Sequence, residues 1–215
     1  MKRTPLLLAA LLVLALTTQM TNAQNNSSPA SLRQMAQDYY HWRDQNYPVD
    51  SSNEGLHTWD NRITDYGLAS IMSRRQHVKD LLARANSMQA ASWQKDDRID
   101  WLLFRAELER VAFFDRVLNF EATNPQVYVD ECTNAIFSLL KKEYDAPRTR
   151  ALSATARLKQ MPAMLEEGKK NLTKPVRLYA QLAIDSARSI DSLFQDSLMV
   201  LARDVSPAEQ IGRAS

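Results

Sequence analysis

His57, Asp60, Arg62 and Asp65 are the densest chemistry in this sequence. The three-residue step from His57 to Asp60 lets a carboxylate orient the imidazole through its second nitrogen, the arrangement that fixes a histidine for proton exchange. Arg62 carries a planar fork of donors that can grip a carboxylate with two bonds. Such a group can line a substrate cleft, so these four residues are the candidate substrate-binding set. The same four residues can also serve only each other, with Arg62 paired to Asp60 or Asp65 and the loop closed on itself. One histidine and two aspartates are too few for an expected metal site.

Other chemistry is thin. A helical zinc hydrolase needs two histidines four apart with a glutamate between them. His41, His57 and His77 are each isolated, so neither a catalytic nor a metal-ligating residue is expected. No glycine loop is suited to phosphates, and no serine sits in a nucleophile elbow. Glu166 and Glu167 precede Lys169 and Lys170 at the spacing of ordinary helix-surface pairs. Cys132, the only cysteine, is in phase with Tyr128, Ala135, Ile136 and Leu139 on an apolar helix face, which predicts packing rather than reactivity.

The candidate set lies in Pro48–Gly67, which reads as the one non-helical stretch and holds two of the four glycines. Amphipathic helical patterns surround it. They predict helices over Leu32–Asn46 (capped by Ser31 and ended by Pro48), Leu68–Met88 and Asp96 or Asp97 to Ala122. Further helices are predicted after Asn124-Pro125, over Arg148–Leu172 with a kink at Pro162, and over Val176–Arg203. The predicted stripes include Leu68 and Met72, then Ile99, Leu102, Leu103, Phe113, Phe114 and Val117, then Leu152, Leu158, Met161 and Leu165. The expected fold is all-α, an array of about six long, mostly antiparallel helices. Four glycines in 215 residues argue against a turn-rich β fold.

The ends carry their own signals. Lys2 and Arg3, the apolar run Leu6–Leu16 and the small residues Thr21-Asn22-Ala23 predict a signal peptide over residues 1–23. Its apolar run is far short of the ~20 residues that span a bilayer, so no stable membrane anchor is expected after cleavage. Residues 24–30 are expected to be a disordered leader, followed by a helical domain over 31–205. Ser206-Pro207-Ala208-Glu209 announces a helix that stops at Ser215, the expected start of a truncated element. The sequence has 27 basic and 25 acidic residues; cleavage removes Lys2 and Arg3 and leaves the two signs equal. That balance gives no support to a nucleic-acid partner. The expected location is periplasmic or secreted.

Six ordered motifs resemble a bacterial family, domain of unknown function 885. Gly55-Leu56-His57, Asp60, Arg62-Ile63 and Asp65 resemble its G-x-H-x-x-D-x-R-L-x-D segment, with isoleucine where leucine is usual. Asp97-Arg98-Ile99-Asp100 with Leu102-Leu103, Asn124-Pro125 with Tyr128, and Phe137 with Leu139-Leu140 follow. Arg157-Leu158 with Gln160-Met161-Pro162, and Asn171-Leu172 with Pro175, complete the order. The likeness spans about Arg33 to Val200. It implies an exported, helical, zincin-type metallopeptidase relative whose zinc motif lies in a second half that this sequence does not contain. Zinc is implied only there, and no cofactor for the residues in hand. The expectation is an N-terminal helical portion, not catalytic alone, whose full-length form takes a peptide or small-molecule substrate. The alternative is a stand-alone periplasmic helical binding or adaptor module.

Overall fold

The computed structural model describes residues 27–192 together with 194 and 195. The expected signal peptide, the first three residues of the leader and the helix start at Ser206 lie outside the described residues. Those residues are mostly helical, without a strand among them. None of their helices is long and apolar enough to cross a membrane. Six helices run for fifteen residues or more, matching the expected all-α class.

Helix α1 spans Pro29–Asn46, so the leader's last two residues are already helical. Ser28, not Ser31, is the cap. Its Oγ accepts the Ser31 N–H at 3.1 Å, while the Ser31 Oγ accepts the Ser28 N–H at 3.0 Å. This reciprocal pair satisfies two donors that a helix start leaves open, and Pro29 fills the first position, where no N–H is needed.

Pro48 was expected only to end a helix, but it also begins one. Helix α2 covers Pro48–Glu54, so the first third of the supposedly irregular stretch is helical. Tyr47 takes φ −125° and ψ 66°, outside helical geometry, as the following proline demands. Gly55 ends α2 in the left-handed region at φ 95°. There the Gly55 N–H bonds Ser52 O and the Leu56 N–H bonds Ser51 O, the double bond of a Schellman end.

The described residues form two compact units, one from residues 27–40 with Gln76–Ala112 and the other from His41–Arg75 with the described residues from Phe113 on. In the first, α1, the later part of α3 (Leu68–Ser87), a short turn at Ala90–Ser92 and α4 (Lys95–Phe113) supply the core. Leu32, Met35, Tyr39, Val78, Leu81, Ala85, Phe104 and Leu108 are buried. Tyr39 meets Phe104 edge-on at 5.6 Å, and Trp101 Nε1 donates to Ala85 O at 2.8 Å. The predicted α4 stripe is on the wrong side: Ile99, Leu102 and Leu103 are exposed, as are Phe113, Phe114 and Val117. This helix is apolar on two opposite faces, so periodicity alone did not choose between them. Nor does it reach Ala122. A widened turn at Phe114–Leu118 closes with Asn119 N–H to Phe114 O at 2.8 Å, and Asn119 takes φ 44°. A short α5 (Phe120–Thr123) follows.

The second unit packs α6 (Gln126–Leu140), α7 (Pro147–Asn171) and α8 (Arg177–Ser192) with the Pro48–Gly67 stretch. Its core gathers Val49, Ile63, Tyr66, Tyr128, Cys132, Ala135, Ile136, Leu139, Ala154, Met161 and Met164. Asn124 Oδ1 accepts the Gln126 N–H at 3.0 Å at the start of α6, close to the capping predicted there. The buried face of α7 is rotated from the predicted one. Arg150, Ala151, Ala154, Arg157, Met161, Met164 and Gly168 point inward, while Leu152 and Leu165 are exposed. The helix runs on through Pro162. On α3, Leu68 and Met72 are exposed where a buried stripe was predicted.

Candidate functional site

The second unit brings His57 and Asp60 together. His57 Nδ1 lies 3.0 Å from Asp60 Oδ2 and 3.2 Å from Oδ1. The imidazole stacks on Tyr144, with ring centres 3.3 Å apart and planes 2° from parallel. Its side chain stays 23% exposed. Asp60 is buried, and an unpaired buried carboxylate is costly, so it needs donors. Tyr144 OH donates to its Oδ2 at 2.5 Å and Ser52 Oγ to its Oδ1 at 2.6 Å. Burial first, and then the bond to Asp60, push the Tyr144 phenol well above its ordinary pKa, which keeps it a donor.

Behind Asp60 lies Arg157, wholly buried, with Nη2 at 3.7 Å from Asp60 Oδ1. Its fork is almost fully used. Nη1 donates to Ala135 O at 2.8 Å and Ser138 Oγ at 2.9 Å; Nη2 donates to Ser52 Oγ at 2.6 Å and Pro48 O at 3.3 Å. Only its Nε lacks a partner. Burial lowers the Arg157 pKa, and the nearby Asp60 opposes that fall. The result is a fixed stack: α6 and α7 hold Arg157, Arg157 and Ser52 hold Asp60, and Asp60 holds His57. With Nδ1 committed to a carboxylate, Nε2 is the nitrogen left to accept a proton or meet a ligand.

The rest of the stretch is held through its backbone. Buried backbone groups must be paired, and helix side chains serve here as a neighbouring strand would. Gln160 Nε2 donates to Asn61 O at 2.8 Å, and Glu131 Oε1 accepts the Thr64 N–H at 2.7 Å. Arg74 Nη1 donates to Asp65 O at 2.7 Å, and Asn171 Nδ2 to Tyr66 O at 2.8 Å.

The other two candidates stand differently. Asp65 works at the start of α3: its Oδ1 accepts the Gly67 N–H at 2.8 Å and its Oδ2 the Ser70 hydroxyl at 2.5 Å. The Ser70 bond leads the effects that lower its pKa. Arg62 is exposed, and it forms an ion pair with neither Asp60 nor Asp65. The partner of Asp60 is Arg157. Ser52 and Tyr144 were not singled out by sequence, and Arg157 was marked only within the Arg157-Leu158 family likeness. Arg157 carried a signal, since it sits on the buried stripe between Ala154 and Met161.

Cys132 is buried as predicted, and burial pushes its thiol up to about 11. Among the described residues, no three of the His, Cys, Asp and Glu side chains are grouped to hold a metal ion. Elsewhere in the second unit, α6 and α7 flank an apolar groove of about 630 Å³ lined by Tyr128, Val129, Pro162, Leu165 and Leu172 among others.

Glu131 gives a test of the backbone clamp. Burial raises its pKa above the ordinary carboxylate value, and the Thr64 bonds only partly offset this. A carboxyl raised in the folded state contributes stability that is fully present below its unfolded pKa and is lost as pH rises through the folded pKa. Wild-type stability should therefore fall relative to Glu131→Gln from about pH 4.5 upward, 4.5 being the unshifted value. Urea unfolding of both proteins at a series of pH values checks this; a constant difference across the series is the contrary result.

No family model, curated protein or solved structure matches the chain.

Proposed function

We propose that this chain is the helical, non-catalytic portion of an exported protein resembling zinc-dependent peptidases, and that His57 stands on one wall of its substrate cleft. One observation carries the reading. Segments that match the family resemblance separately in sequence meet in space along the Pro48–Gly67 stretch. Arg157 and Gln160, from one segment, bind Ser52 and Asn61. Asn171, from another, binds Tyr66 O, and Tyr128, from a third, meets the Tyr66 ring edge-on at 5.0 Å. Residues at these distant places have a common task, which is to hold the stretch that carries the partly exposed His57.

The catalytic chemistry belongs, on this reading, to a zinc motif outside the sequence. The coding DNA past Ser215 tests it: an in-frame His-Glu-x-x-His is the expected result, and a stop codon in intact sequence without that motif downstream sinks the proposal. In the whole protein, His57→Ala is then expected to raise KM for peptide substrate with zinc content unchanged. The apolar groove between α6 and α7 favours a second reading, a self-contained helical binding or adaptor module. A purified chain that melts in one cooperative step and binds ligand without further sequence would support that alternative.

A further inference from the structure

Helix α4 has a second apolar face that is exposed among the described residues. Phe104 and Leu108 are buried in the first unit. At about 100° per residue, Ile99, Leu102, Leu103 and Ala106 fall on the opposite side. All four are exposed, Leu103 by 65%. A helix that is apolar all round is ordinarily buried all round.

The charges beside this stripe that form no ion pair among the described residues sort by sign. Lys95, Arg98, Arg105 and Glu109 lie along one edge; Asp96, Asp100, Glu107 and Arg110 lie along the other. Arg105 is tied to Glu109 at 3.0 Å and Glu107 to Arg110 at 2.8 Å, which leaves Arg98, Asp96 and Asp100 without an ion pair among the described residues. This pattern complements itself in one arrangement. Two copies of α4 running parallel about a two-fold axis set the Arg98 edge of each against the Asp96 and Asp100 edge of the other, whereas antiparallel copies set acid against acid. The apolar stripe then becomes the seam between them.

We infer that the exposed face of α4 is the seam of a parallel homodimer. Sedimentation equilibrium of the purified chain should show reversible, concentration-dependent dimers. Leu103→Asp should hold the protein monomeric with its far-ultraviolet circular dichroism unchanged, because Leu103 lies outside the core. Arg98→Glu should weaken association by about tenfold, as should Asp96→Lys with Asp100→Lys, and an equimolar mixture of the two charge-reversed proteins should associate again. Ile99→Cys should cross-link under mild oxidation, because a parallel seam sets the two copies of residue 99 face to face while the natural Cys132 is buried. A monomer at every concentration overturns the inference. So does a dimer indifferent to Leu103→Asp or Arg98→Glu, which would place the contact elsewhere, or a dimer that fails to cross-link through residue 99.

Discussion

Arg157→Ala is expected to destabilise the second unit by roughly 3–5 kcal/mol. The guanidinium is wholly buried and serves Ala135 O, Ser138 Oγ, Ser52 Oγ and Pro48 O, with Asp60 at 3.7 Å. Its removal strands a buried carboxylate and several acceptors at once. The cost is that of uncompensated groups, not the worth of one ion pair, which need not be large. Lysine is not expected to rescue the loss, because a single ammonium cannot span the Ser138 and Ser52 sides of the fork. Arg157→Met combined with Asp60→Leu should recover part of the stability, since both charges then leave together. Urea unfolding of the three variants measures this. A loss below about 1 kcal/mol for Arg157→Ala would mean that Asp60 is not held as a buried anion.

The same network shows which parts of the molecule could be read in sequence. His57 and Asp60 are three apart, and a short spacing is legible because local geometry fixes it. Tyr144 reaches Asp60 from 84 residues away, and no local pattern reports such a distance. Arg157 entered only through the Arg157-Leu158 family likeness, and the presence of Leu152 and Leu165 nearby pulled the predicted α7 face away from it. Pro48 was read as a stop because proline excludes the residue before it from helix; the same geometry makes proline a good first residue, and Gly55 then sets the length of α2. On α4, periodicity marks two faces equally and is silent about which one the chain itself covers. The all-α class was legible because it rests on composition and caps, which do not depend on distant partners.

Gly168→Ala should destabilise the second unit by about 1–2 kcal/mol, although alanine is the better helix former by ~1 kcal/mol. A Cβ at residue 168 would stand 2.8 Å from Tyr128 Cδ1 and 2.9 Å from its Cγ. The ring has little room to yield. Its hydroxyl donates to Glu121 O at 2.7 Å, and the Tyr66 ring meets it at 5.0 Å between centres. Overpacking of this kind costs about 1–3 kcal/mol, which outweighs the gain in propensity. The clash and the propensity separate in a double-mutant cycle. With Tyr128→Ala already present, the obstructing ring is gone, and Gly168→Ala should become neutral or stabilising. Thermal and urea unfolding of the four proteins give the coupling. An additive cycle would show that the close approach of α6 and α7 at this point does not depend on the missing Cβ, and that glycine is there for another reason.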